Sequence, residues 1–468
     1  MLTHDSLAYL HAADTFMAGR GFEYFGYSSP MIQWPLLMPA LYGVAGLLGD
    51  VRVIMGYFNL TLFGIAVFFG GLTLSGFVKN RVAYMIAMVF MTFSLSYIKP
   101  FYYLLSEGLF LAFLSVLLFL FTRWIANGKM PFLLLLSLVS GLLMWTRFTG
   151  IVLSGLVGVY ILFFTGKNFI KRVKEAAIYG GIAALPFMGL LIRNFILSGT
   201  FTGRSKPSVT PFWDNIKDTV KTIGGWFLPQ YPLCGAALAG LIAAGCAFAA
   251  YLIFKKRASD GRGGSHGISV ILAYTFLYPM SVIYSNTFYA LDPVGLRILA
   301  PMFLPAVISI FYLLDEALAR IDSRKLKTTA LALSAAAALA FAVFNSWSLF
   351  ADGPGFTSYY MEKNFEASPV MEYIRGIPGD VKIYTNKPGD VFFATGKDAN
   401  YPPRKEGAVI YLREACDARL ASSGKELYIV WYDVVTNPVL YQREELISMY
   451  SLTEVESFEG CVIYKAGV

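Results

Sequence analysis

The run HDSLAYLHAADTFMAGRGF (4–22) gathers ionisable side chains near the start of a chain that has few of them. At helical spacing Asp5, Tyr9 and Phe16 share one face, while His4, His11 and Asp14 share another. A carboxylate opening a short interfacial helix can act as a general base, taking a proton from an acceptor hydroxyl. The same residue is also favoured in a first helical turn, as an N-terminal cap or a solvated charge. Residue chemistry leaves both roles open for Asp5. His4 and His11 could reach a metal together with Asp14, but no recognised ligand spacing is present, and exposed polar side chains are the simpler expectation.

A second group lies further along. Glu107, in YYLLSEGLF (102–110), stands at the mouth of an apolar run. Ionisable groups at membrane depth cost about 2.5–3.5 kcal/mol on insertion scales and are functional candidates. Contact with a metal or substrate fits Glu107, and so does a snorkelling or helix N-terminal role. Arg147 in WTRFTG, Arg193 in LIRNF, Arg204 and Lys206 in GTFTGRSKPS and Arg297 in DPVGLRILAP all fall at run ends on the same side. Guanidinium groups grip phosphate through paired N–H donors. Together these cations fit a phosphate or pyrophosphate leaving group; singly, each fits an interface anchor. Trp34, Trp213, Trp226 and the tyrosines near 97–103 have membrane-belt positions, where one or two could stack on a sugar.

The elements that must position these groups are hydrophobic. The 468-residue chain is 56% hydrophobic and 15% charged, with a mean hydropathy of +0.58, against about 25% charged in a soluble protein. The deficit is confined to 35–347. Apolar runs long enough to span a bilayer are expected at about 51–78, 82–98, 105–124, 131–146, 149–166, 176–198, 233–254, 267–285, 294–314 and 328–347. The stretch 35–48 carries Pro35 and Pro39 and is expected to lie in the interface.

Basic loops at 79–81, 123–129, 167–174, 255–262 and 320–327 alternate with loops poorer in Lys and Arg, which makes the first set cytoplasmic. Residues 1–50, the loop 199–232 and the tail from 349 then share the outer side. No cleavable signal opens the chain, so an exported N-terminus implies either an absent upstream helix or a genuine N-out start. The net charge of +8 is spread over these loops, which excludes a nucleic-acid face.

The tail has ordinary soluble composition. Helices are expected at 368–374, 389–396 and 439–449, and strands at 381–386, 409–414 and 426–433, giving a small α/β layer domain without a phosphate loop, a metal-spaced cluster or an active site. Cys234 and Cys246 are expected as packed thiols. Cys416 and Cys461 are either bridged or free and buried.

HDSLAYLHAADTFMAGRGF followed by SSPMIQWPLLMPALYG, then YYLLSEGLFLAF, WTRFTGIVL, IRNFILSGTFTGRSKPS and LDPVGLRILAP in that order, resembles the GT-C superfamily of polytopic membrane glycosyltransferases. The likeness is to the protein O-mannosyltransferase and aminoarabinose-transferase type and covers about residues 1–315. It implies a mainly α, polytopic transmembrane bundle of about 10–11 helices. A first loop with interfacial helices (1–50), a membrane domain (51–348) and a small extracytoplasmic α/β domain (349–468) would follow one another.

The resemblance further implies inverting transfer of a sugar, hexosyl or pentosyl, from a polyprenyl-phosphate donor to a glycan, lipid or protein acceptor, at the outer face of the inner (plasma) membrane. Asp5 matches the family's acidic residue in the first loop. His4, Tyr9, Glu107, Arg147, Arg193, Arg204, Lys206 and Arg297 are then the candidate substrate contacts. Members with a paired acidic motif carry a second carboxylate where this chain has His4, which puts a divalent metal (Mg or Mn, with Asp5 and Glu107 as candidate ligands) in question. From another class, a multi-pass transporter of a lipid or small anionic solute is the alternative; it would predict internal repeats and broken mid-membrane helices, and no duplication is evident.

Overall fold

The computed structural model describes residues 3–26, 29–203, 207–227, 267–351, 367–405, 426–433 and 438–466, with a few isolated positions between them. The expected span at 233–254, with Cys234 and Cys246, lies outside the described residues, as do Arg204 and Lys206. The chain divides into two compact units. One comprises residues 32–38 and 52–353; the other joins 1–31 and 39–51 to 354–468.

The larger unit is a helix bundle. Among the described residues, six helices are long and apolar enough to cross a membrane: α3 (Val51–Ser75), α6 (Ser106–Asn127), α9 (Phe169–Ser198), α11 (Gly267–Phe288), α12 (Leu296–Ala319) and α13 (Arg324–Ala351), the last of these over Arg324–Trp347. This is a multi-pass membrane protein. Helix α12 is its centre: 72% of its apolar window is buried, against 11% for α13.

Three expected spans differ in form. The run 82–98 is two helices, α4 (Arg81–Phe93) and α5 (Leu95–Tyr102), meeting at a 40° bend. Ser94 is extended there, and the Leu95 N–H donates instead to Asn345 Oδ1 of α13 at 3.3 Å. A side chain from a neighbouring helix thus takes the place of a missing backbone acceptor. The runs 131–146 and 149–166 are the shorter helices α7 (Met130–Thr146) and α8 (Gly150–Phe163), divided at Arg147. Helix α9 begins earlier than its apolar run, because Asn168 caps it by accepting from the Lys171 N–H at 2.9 Å. The basic loop around 171–174 is therefore helical. A short helix α10 (Phe212–Phe227) is tied to α11 by Asn215 Nδ2 donating to Thr287 Oγ1 at 3.1 Å.

In the smaller unit, α1 (His4–Met17), a two-residue ribbon β1 (Glu23–Tyr24) with β2 (Ser29–Pro30), and most of α2 (Leu37–Leu48) join the tail. The tail's sheet runs β4-β3-β5-β7-β6, from β3 (Lys382–Thr385), β4 (Ala399–Asn400), β5 (Leu427–Tyr432), β6 (Thr453–Phe458) and β7 (Cys461–Ala466). Strand β3 is parallel to β4 and β5, and β7 is antiparallel to β5 and β6. Alternation sends Ile383, Val430 and Ile463 to one face, against Ile374 of α14 (Pro369–Gly376) and Val391 of α15 (Pro388–Thr395). Tyr384, Ile429, Trp431 and Tyr464 go to the other, against Leu446 of α16 (Arg443–Tyr450). The result is a helix–sheet–helix layer.

The hairpin β6–β7 was not expected from the sequence: TEVESF is polar and almost wholly exposed, so it shows none of the apolar alternation that marks a strand. Of the expected strand 409–414, Arg413 and Glu414 are helical and 409–412 lie outside the described residues. Cys416 and Cys461 are buried free thiols rather than a bridge.

Candidate functional site

In the membrane unit, Glu107, Arg147 and Arg297 come together. Glu107 sits in the first turn of α6, where the helix dipole favours a carboxylate. Arg147 is the extended C-cap residue of α7, at the break before α8. That break is tight: a Cβ on Gly150 would stand 2.9 Å from the Leu143 carbonyl, so only glycine fits the turn. Arg297 is the second residue of α12, after a loop that Asn286 shapes by donating to the Asp292 carbonyl at 2.7 Å.

Both guanidiniums converge on one oxygen. Arg147 Nη1 lies 2.6 Å and Arg297 Nε 2.5 Å from Glu107 Oε1. Glu107 is 1% exposed, while the arginine side chains keep 22% and 38% of their surface. A lone carboxylate at that depth would be far too costly, and each arginine offers five donors, of which the carboxylate can use only part. Two guanidiniums meet one carboxylate oxygen, and both keep part of their side-chain surface exposed. Asp292, itself 69% exposed, reaches Arg297 only at 3.6 Å. Arg147 also donates to Ser106 Oγ at 3.3 Å. The arrangement can receive an anion such as a phosphate monoester.

Arg193 does not join this group by any of these bonds. Its Nη1 donates to Asn194 Oδ1 at 3.0 Å, and Asn194 holds the Ile32 and Phe201 carbonyls at 3.2 and 3.0 Å.

In the smaller unit, α1 carries Asp5, His4 and Tyr9. Thr3 is the N-cap: its Oγ1 accepts from the Ser6 N–H at 3.2 Å, and Ser6 Oγ accepts from the Thr3 N–H at 3.0 Å. That reciprocal box satisfies the helix start, so capping is not the task of Asp5. Asp5 is half-buried in the first turn. His4 is exposed, edge-on to Phe25 with centroids 4.8 Å apart, and its Nε2 lies 3.4 Å from Tyr401 Oη. Burial pushes the Tyr401 phenol up to about 12, so it stays protonated beside the imidazole. Tyr9 is 5% exposed, with its ring 6.2 Å from Tyr42.

One expectation fails outright. His11 is not an exposed polar residue but is 4% exposed, with Nε2 2.9 Å from Asp398 Oδ1. The helix is buried nearly all round from Ser6 to Ala13. The available signal was the run of small residues, Ala8, Ala12 and Ala13, which let other backbones approach every face; nothing local pointed to Asp398. Among the described residues no three His, Cys, Asp or Glu side chains gather as a metal site. Glu107 Oε1 is already committed to two arginines, whose positive charge disfavours a cation beside it.

No family model matches the sequence, and no curated protein matches it. Solved structures do. The chain is similar to ArnT from Cupriavidus metallidurans in its apo state, at 11% identity and a TM-score of 0.62, covering 99% of this chain and 94% of ArnT. It is similar to the same protein bound to undecaprenyl phosphate, at 10% identity and a TM-score of 0.63, with the same coverage. A third likeness is to the Archaeoglobus fulgidus oligosaccharyltransferase in complex with zinc and sulfate, at 13% identity and 0.57, covering 92% of this chain and 64% of that one. The chain has the polytopic fold of ArnT.

Proposed function

We propose that this protein is an integral membrane glycosyltransferase that moves a sugar from a polyprenyl-phosphate donor to an acceptor at the outer face of the membrane, with inversion. The observation that carries the reading is the Arg147–Glu107–Arg297 group, two guanidiniums gathered on one carboxylate at three helix ends. The fold it shares with a protein crystallised with undecaprenyl phosphate supports the same reading.

In this scheme Asp5 takes a proton from the acceptor hydroxyl or amine as that atom attacks the anomeric carbon. The bond from that carbon to the phosphate oxygen breaks, and its electron pair leaves with the polyprenyl phosphate. Within the membrane unit, Arg147 and Arg297, with Glu107 between them, are suited to bind a phosphate oxygen. The proton ends on Asp5. The apolar helices hold the lipid chain, which lets an insoluble donor react without leaving the bilayer. The acceptor class, whether glycan, lipid or protein, and the sugar are set by contacts outside these residues.

The test is transfer of radiolabelled sugar from a polyprenyl-phosphate donor in membranes. A positioned base contributes about 10²–10⁴-fold, so Asp5→Asn is expected to lose that much in kcat while the protein stays folded. Full activity in Asp5→Asn would remove Asp5 from the chemistry.

A further inference from the structure

Asp5 stands at one end of α1, and the rest of that helix is gripped by residues the transfer step does not use. His11 lies six residues on, about 9 Å along the axis at 1.5 Å per residue. Its Nε2 is 2.9 Å from Asp398 Oδ1, and its Nδ1 is 3.3 Å from the Glu23 carbonyl oxygen. Both partners are acceptors, so the tautomer decides which ring nitrogen donates its proton and to which of them. Asp398 Oδ2 meets Arg20 Nη2 at 2.9 Å, and Arg20 Nη1 reaches Glu23 Oε2 at 3.4 Å. The imidazole also stands edge-on to Phe392, with centroids 5.0 Å apart.

The N-terminal half of α1 is held as closely. A Cβ on Gly389 would meet Leu7 Cδ1 and Phe25 Cε2 at 3.3 Å, so α15 lies against both. Tyr401 donates its N–H to the Gly26 carbonyl at 2.7 Å and sets its hydroxyl 3.4 Å from His4 Nε2. These contacts tie α1 to the loop and strand around 398–401. Exposed ion pairs do little of this kind. A buried histidine between two acceptors differs: turning α1 by one residue, about 100°, would strip it of both partners and leave it unsatisfied.

We propose that His11, Asp398 and Tyr401 are positioning residues, which set the rotation and height of α1 on the C-terminal layer and thereby place the Asp5 carboxylate. The inference rests on the reading of Asp5 as the base. It gives the tail, which has no chemistry of its own in the sequence, a part in the reaction through the first-loop helix.

Full-length protein separates the two ideas with two measurements. Hydrogen exchange of α1 amides reads the grip without any substrate; kcat and KM per folded molecule read its use. His11→Phe keeps the ring packing and loses both bonds, while His11→Gln keeps a side-chain N–H for Asp398. His11→Phe is expected to speed α1 exchange about tenfold with the sheet amides unchanged. A misplacement near 1 Å costs up to about 10²-fold, so kcat should fall ~10–100-fold with the donor KM unchanged, and His11→Gln should recover most of that. Unchanged α1 exchange overturns the grip. Faster exchange with unchanged kcat per folded molecule overturns the positioning role, as does a His11→Gln no better than His11→Phe. A wild type that transfers no sugar overturns the proposed function, which the exchange result does not touch.

Discussion

Two carboxylates open two helices in this protein, and their surroundings give them different work. Asp5 and Glu107 each stand in a first turn, Asp5 in α1 and Glu107 in α6. At α1 the backbone start is satisfied by Thr3 and Ser6, and Asp5 is half-buried. At α6 the carboxylate is sealed and clamped by two arginines. An acid in a first turn is therefore not a role; the partners that tertiary structure brings decide whether it stays partly exposed or is clamped by cations.

The comparison breaks most clearly on rate against stability. Asp5→Asn should lose about 10²–10⁴-fold in transfer with its thermal unfolding in detergent unchanged. Glu107→Ala should do the reverse in part. It strands two guanidiniums, costs about 3–5 kcal/mol and shows as a lowered unfolding temperature before any assay. If Glu107→Ala were as stable as wild type, the clamp would carry no structural weight.

Gly26 tests the smaller unit. It has φ +79°, and a Cβ there would meet the Tyr401 ring at 2.6 Å. Gly26→Ala should cost about 1–3 kcal/mol and loosen α1 without replacing an ionisable residue; a neutral result would mean that the Tyr401 ring moves aside. Thr3→Ala removes one side of the capping box and should cost about 1 kcal/mol, read by exchange at the first α1 amides.

The smallest effect is one of pH. The hydrogen bond from His11 is the first cause holding the Asp398 carboxyl below its ordinary 3.8. A depressed carboxylate contributes stability above its unfolded value and loses it as pH falls through its folded value. Asp398 is 46% exposed, so solvent screens the pair and the step should be under ~1 kcal/mol. An acid titration of unfolding should show it below about pH 4 in wild type and not in Asp398→Asn.

How far the sequence could be read follows from the range of each force. Hydrophobic runs are local, so the bundle, the soluble tail and helix starts such as Ser368 were legible. The break at Ser94 was not, because its replacement acceptor, Asn345, lies 250 residues away in the chain. Glu107, Arg147 and Arg297 were each identifiable from charge in apolar surroundings. That they form one group depended on how α6, α7 and α12 pack.

Composition and periodicity by themselves determined that this chain spans a membrane many times, carries a layered soluble tail and spends its few charges at helix ends, because burial of apolar surface is dictated residue by residue. Only the tertiary structure decided which charges meet. His11 looked like a surface histidine until Asp398, 387 positions on, came within hydrogen-bond reach. The energy of a buried polar group depends on a partner that sequence distance does not reveal, and the same packing that joined residues 1–31 to the tail supplied it.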